Sequence, residues 1–118
     1  MSQARTTELL ESKILTPADQ ETTNTYADVT GSTLDAYSQS LVSFTVKNTD
    51  GANSIDYKVL ASIDGTTYVE AQAEASLAAS ATGSYATTTA AYRYYKVQVK
   101  ATVGDSQGDA QVRAIAKH

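Results

Sequence analysis

The sequence predicts an all-β protein: an antiparallel β-sandwich of six or seven strands, Ig-like or jelly-roll-like, preceded by an extended N-terminal arm. Segments of alternating apolar and polar residues recur at short intervals after residue 21, and such alternation is typical of strands with one buried face. Asp-Gly pairs at Asp50-Gly51 and Asp64-Gly65 supply turn signals between segments. A chain of 118 residues is long enough for one domain with a single core.

The clearest predicted strand is residues 91–101, AYRYYKVQVKA. Successive side chains of a strand leave opposite faces of the sheet. The residues expected to face the core are Tyr95, Val97, Val99 and Ala101, and those on the other face are Tyr94, Lys96, Gln98 and Lys100. Because Tyr94 lies on the polar face, it is a candidate partner-binding residue.

Residues 1–20 are predicted to form the arm, and residues 21–118 the β-sandwich domain. The arm is polar apart from one aliphatic cluster, whose spacing does not fit a single helical stripe. Its members are Leu9, Leu10, Ile14 and Leu15. One interpretation is a frayed terminus; the other is an arm that lies on a neighbouring subunit, which makes these four residues partner-binding candidates.

The other elements follow from the same alternation. Residues 40–48 and 54–63 are strong strands, the second with an apolar series from Ile55 to Ile63, and we expect the two to pair as a hairpin. Residues 74–81 have helix-forming composition but are short, which favours a loop with one helical turn. The weaker or shorter elements are strands at 22–29, 68–73, 83–88 and 110–117, an edge strand or loop at 34–38, and a hairpin connection at 104–109.

Composition argues against several functions. The net charge of −4, without a basic cluster, disfavours a nucleic-acid surface. Cysteine is absent and the one histidine is His118, so thiolate metal sites and catalytic triads are disfavoured, and we expect neither a cofactor nor enzymatic activity. No apolar run has the length of a membrane helix, and no signal-peptide pattern begins the chain, so we expect synthesis in the cytoplasm and no membrane partner.

The eight tyrosines allow two interpretations. They could form an aromatic face that binds sugar rings, as in a carbohydrate-binding or adhesion module. Alternatively, they pack at core and edge positions, with hydroxyls that reach solvent or backbone, and the absence of Trp favours this reading.

Two runs carry a family resemblance: residues 43–72, which contain SIDGTTY, and residues 91–101, which contain YRYYKVQV. They resemble small β-sandwich virion structural proteins of tailed bacteriophages, among them capsid decoration, or cementing, proteins with an N-terminal arm. The resemblance implies a non-enzymatic protein on the capsid surface that binds the major capsid protein or another virion protein, as a homo-oligomer, trimer or dimer. A head–tail connector or tail structural protein is the alternative within the virion.

Overall fold

The computed structural model describes residues 12–118, which form ten strands and no helix, and therefore no helix that could cross a membrane. The strands are β1 (Lys13–Leu15), β2 (Gln20–Glu21), β3 (Ala27–Asp28), β4 (Leu34–Asp35), β5 (Leu41–Asn48), β6 (Ile55–Ser62), β7 (Val69–Leu77), β8 (Thr82–Thr87), β9 (Tyr94–Ala101) and β10 (Asp109–Lys117). Leu9 and Leu10 lie outside the described residues.

The strands form two antiparallel sheets. In sheet A, β1 and β2 both pair with β10, which pairs with β5, and β5 pairs with β8. In sheet B, β3 and β4 both pair with β9, which pairs with β6, and β6 pairs with β7. Counting β1 with β2, and β3 with β4, as interrupted strands gives two four-stranded sheets in jelly-roll order. The predicted all-β sandwich is confirmed, and its strand order is that of a jelly roll rather than an Ig domain.

The core lies between the inner faces of the two sheets. The predicted core face of β9 is confirmed, because Tyr95, Val97 and Val99 are almost fully buried. From sheet A, the β5 side chains of Val42, Phe44 and Val46 meet them and have no exposed area. Alternation along β5, β9 and β10 therefore produces the sandwich, since every second side chain enters the same apolar layer.

The predicted hairpin between residues 40–48 and 54–63 is wrong. β5 pairs within sheet A and β6 within sheet B, so the segment between them crosses from one sheet to the other. The side chains around the Asp-Gly pair explain this course: buried Asn48 donates to the carbonyl of Asn53 at 2.7 Å, and Asp50 accepts the backbone N–H groups of Ala52 and Asn53. These bonds hold a wider loop than a two-residue hairpin turn. The connection at 104–109 likewise joins different sheets, β9 in B to β10 in A, and is not a hairpin.

The predicted loop at 74–81 is also wrong in its first half, because β7 continues to Leu77. Ser76 lies opposite Asp56, Leu77 lies opposite Ile55, and the Leu77 side chain is buried. Cross-strand pairing and burial override the helical propensity of an alanine-rich segment. The predicted strand at 22–29 is shorter than expected and contains only β3.

Candidate interaction surfaces

Three loops meet at one end of the sandwich: residues 36–40, 63–68 and 88–93. Backbone hydrogen bonds link them to one another and to the strand ends. Ala36 N–H donates to the Arg93 carbonyl at 2.6 Å, Ala90 N–H to Ser40 at 2.9 Å, and Arg93 N–H to Ser62 at 3.1 Å. The loops therefore form one continuous surface, although they are far apart in the sequence.

This surface carries most of the large apolar side chains that the described residues expose. Ile63 is 72% exposed, Tyr37 61%, Val69 47% and Tyr92 36%. We call these four residues the apolar end. Ile63, Val69 and Tyr92 line a shallow pocket of about 310 Å³. At the opposite end, the large apolar residue exposed to a similar degree is Val103.

Local structure fixes Ile63 in this outward position. β6 ends at Ser62, and Asp64 then accepts the backbone N–H groups of Thr66 and Thr67 at 2.8 and 2.9 Å. These N–H groups hold the pKa of the Asp64 carboxyl below its usual value. Gly65 follows with φ +80°, a conformation that favours glycine. The turn thus begins directly after Ser62. Ile63, the last member of the apolar series that the sequence shows, therefore points to solvent, unlike the buried members before it.

A second apolar surface lies on the outer face of sheet A. Ile14 of β1 is directly opposite Ile115 of β10 and is 65% exposed. With Ser43, Thr45 and Arg113 these isoleucines line a groove of about 220 Å³, which we call the apolar groove.

The structure separates the two arm residues that it describes. Ile14 faces the apolar groove, whereas Leu15, the next residue, packs against the core. Both belong to β1, so this part of the predicted arm is paired with β10 of its own chain. Arg113 strengthens the attachment, since its Nη1 donates to the Pro17 carbonyl at 3.1 Å. A partner-binding role for these residues stays a prediction.

Tyr94 is half-buried and close to the apolar end. Its ring packs against Gly65, where an added Cβ would lie 3.3 Å from the ring, and the Arg93 guanidinium lies 5.0 Å from the ring centroid. The structure thus uses Tyr94 to support the 63–68 loop, and its proposed contact with a partner stays a prediction.

The outer face of sheet B, by contrast, carries charges that are paired within the chain. The pairs are Lys58–Glu70 (3.5 Å), Arg93–Asp35 (3.1 Å), Lys96–Asp28 (2.9 Å) and Lys100–Asp56 (3.5 Å). Burial raises the pKa of Asp28 and of Asp56, but hydrogen bonds from neighbouring side chains outweigh it, so both pKa values lie below the usual range. The Arg93 hydrogen bond likewise lowers the pKa of Asp35.

The tyrosines of this face are covered by cations. Lys58 Nζ lies 4.4 Å from the Tyr26 ring centroid, and Lys96 Nζ lies 4.1 Å from that of Tyr68. The Tyr26 hydroxyl donates to Glu74 at 2.6 Å, and burial together with this carboxylate raises the pKa of Tyr26. A sugar ring would have to displace these cation–π contacts in order to stack, so the arrangement favours the packing interpretation of the tyrosines.

The sequence did not single out the apolar end, because its members come from three separate loops and from the first residue of β7. The one local signal was an isoleucine immediately before an Asp-Gly turn.

Within residues 12–118, no group of three His, Cys, Asp or Glu side chains could hold a metal ion.

No known protein family model matches the chain, and no curated protein matches it. Similar solved structures include the SPBc2 prophage-derived protein YomS, with 12% identity, a TM-score of 0.59, and coverage of 92% of this chain and 94% of that one. A Bacillus endospore appendage protein, from disulfide-linked pili, has 15% identity, a TM-score of 0.54, and coverage of 91% and 87%. A chain of the T13 particle of infectious bursal disease virus has 15% identity and a TM-score of 0.54; the match covers 92% of this chain and 31% of the viral chain. At such identities, the likeness concerns the fold.

Proposed function

We propose that this chain is a virion structural protein, and more specifically a decoration protein that binds the outer surface of a tailed-phage head and stabilises it. The observation that carries the proposal is the apolar end. Contiguous exposed apolar side chains on a small folded protein mark sites of protein–protein contact. Ile63, Val69 and Tyr92 surround one pocket, next to Tyr94 and the 63–68 loop.

The path of the chain adds support. Lys13 lies opposite Ala116, near the last residue of β10, and Lys117 lies opposite Leu41, the first residue of β5. Since β5 follows the 36–40 loop, β1 begins on the side of the apolar end. We propose that Leu9 and Leu10, which precede β1 in the sequence, contact the same partner as the apolar end, the major capsid protein.

The structural comparisons fit assembly in a particle. The fold is similar to that of a prophage-derived protein and to part of a chain from a viral particle. The pili formed by the endospore appendage protein are disulfide-linked. This chain has no cysteine, so its assembly would depend on non-covalent surfaces such as the apolar end.

Co-sedimentation with capsids that lack the protein tests the proposal. We expect Ile63→Asp to weaken capsid binding about tenfold or more, because a charge would be buried in an apolar contact. Val103→Asp is the matched control, since Val103 is 63% exposed at the opposite end. If both variants lose capsid binding equally, or if Ile63→Asp binds as well as the wild type, the apolar end is not the binding surface.

A truncation tests the contribution of the arm. Residues 13–15 and 20–21 are strands of sheet A, so removal of all twenty arm residues would damage the sandwich. Deletion of residues 2–11 leaves every described strand in place. We expect this shorter protein to keep its circular-dichroism spectrum and to bind capsids more weakly; undiminished binding would contradict a role for the arm. Imaging of a labelled copy on intact virions distinguishes a head position from a connector or tail position.

A further inference from the structure

The sandwich has four sheet edges, and three of them carry features that prevent pairing with another strand. The edge of sheet A formed by β1 and β2 is short and is interrupted at Pro17, which has no N–H to donate. The edge of sheet B formed by β3 and β4 consists of two-residue strands. Short, interrupted edges offer few backbone groups in register for a partner.

The third edge, β7, is long but charged and irregular. Glu70 and Glu74 are exposed on it, and its register with β6 shifts on both sides of Val59. Charged side chains and β-bulges are two of the usual ways in which proteins keep edge strands from pairing.

β8 has none of these features. It is a regular six-residue strand, TGSYAT, paired with β5 along its whole length from Thr82 to Thr87. The sequence carries no charged residue between Glu74 and Arg93, so the strand and both of its flanks are neutral. Its outer edge is the one continuous, uncharged edge among the described strands, and an edge strand presents a row of backbone N–H and C=O groups that lack a partner strand.

Contacts on the inner face hold β8 firmly. The Tyr85 ring centroid lies 6.3 Å from that of buried Tyr95. The buried Tyr57 ring reaches across from sheet B to Gly83, where a Cβ would lie 2.9 Å from Tyr57 Cζ, so any residue other than glycine would displace it. A strand fixed in this way loses little conformational freedom when it gains a second neighbour.

We propose that β8 pairs with β8 of a second copy of this chain, antiparallel and about a two-fold axis, so that the two A sheets form one continuous sheet of the dimer. A second copy fits because self-pairing brings identical side chains close together, and like charges would repel there. The exposed residues Thr82, Ser84 and Ala86 are small and neutral, so the two strands can approach without repulsion. The dimer does not depend on capsid binding, and neither does its test.

Size-exclusion chromatography with light scattering measures the mass of the full-length chain. We expect about twice the 12.5 kDa of one chain, and a shift to the monomer mass in Ser84→Lys, which places two like charges at the pairing edge. Thr45→Lys is the matched control, because Thr45 is exposed on the same face directly opposite Ser84, one strand further from the edge. This variant should remain dimeric.

Engineered cysteines test the arrangement of the strands, and the chain has no cysteine of its own to interfere. In antiparallel pairing about a two-fold axis, at least one of three samples should form a covalent dimer on mild oxidation. These samples are Ser84→Cys, Ala86→Cys and a mixture of the two proteins. A Val103→Cys protein should form no covalent dimer. A monomeric wild-type chain overturns the proposal. The proposal is also overturned if Thr45→Lys dissociates the dimer and Ser84→Lys leaves it intact. That result would mean that the two copies are joined through the outer face of sheet A. Circular dichroism of each variant checks that it is folded.

Discussion

The outer faces of the two sheets use their charges in opposite ways. On sheet B, Lys58, Lys96 and Lys100 each have a carboxylate within 3.5 Å. On sheet A, Lys47 and Lys117 form no ion pair with any described residue, and between them lie Ile115, Ser43 and Thr45, which line the apolar groove. On sheet B, a partner would have to replace ion pairs that already exist within the chain. The outer face of sheet A, in contrast, exposes both apolar area and lysines that form no ion pair with a described residue. The outer face of sheet B thus stabilises the monomer through its paired charges, whereas that of sheet A keeps an apolar groove and unpaired lysines exposed.

The largest effect that tests this difference is expected at Asp56 in sheet B. Its side chain is only 6% exposed, pairs with Lys100, and accepts hydrogen bonds from Ser76 Oγ at 2.6 Å and Thr102 Oγ1 at 2.7 Å. Asp56→Ala would remove a buried carboxylate with its ion pair and both hydrogen bonds and leave half-buried Lys100 unpaired, so we expect the free energy of unfolding to fall by about 2–3 kcal/mol. Urea denaturation measures this change.

Thr45→Ala supplies the comparison on sheet A. Thr45 is exposed, and no side-chain hydrogen bond of the described residues involves it, so we expect a change within about 0.5 kcal/mol. Equal losses of stability in the two variants would show that the two faces do not differ in their contribution to the free energy of unfolding.

The sequence was enough to predict the two-layered β architecture. Alternation of apolar and polar residues predicts which side chains of a strand are buried, and Val97 and Phe44 are buried as predicted. The same alternation does not predict which of the two sheets a strand joins. Both the Asp50-Gly51 turn and the 104–109 loop mark a change of direction, yet each carries the chain to the opposite sheet, because that choice depends on contacts between strands far apart in sequence.

The candidate surfaces were harder to predict for the same reason. Tyr37, Ile63 and Tyr92 lie in three separate loops, and only the jelly-roll connections bring these loops together. Ile63 also continued the apolar alternation of β6, so nothing in the pattern itself separated it from the core. Ile14 and Leu15 were found as a cluster, but their division between groove and core follows from the pairing of β1 with β10.

A smaller effect is expected at Asp28, whose side chain is 51% exposed and which pairs with Lys96 on sheet B. The pKa of Asp28 is lowered in the folded chain, so near pH 4 the unfolded chain binds more protons than the folded one. The stabilisation is therefore present above the unfolded pKa of about 3.9 and is lost as the pH falls through the folded value. We expect Asp28→Asn to cost up to about 1 kcal/mol at pH 7 and progressively less below pH 4, as urea denaturation at several pH values would measure. A cost that stays constant with pH would mean that Asp28 acts through its shape and hydrogen bonds, and that the paired charges contribute little to the stability of sheet B.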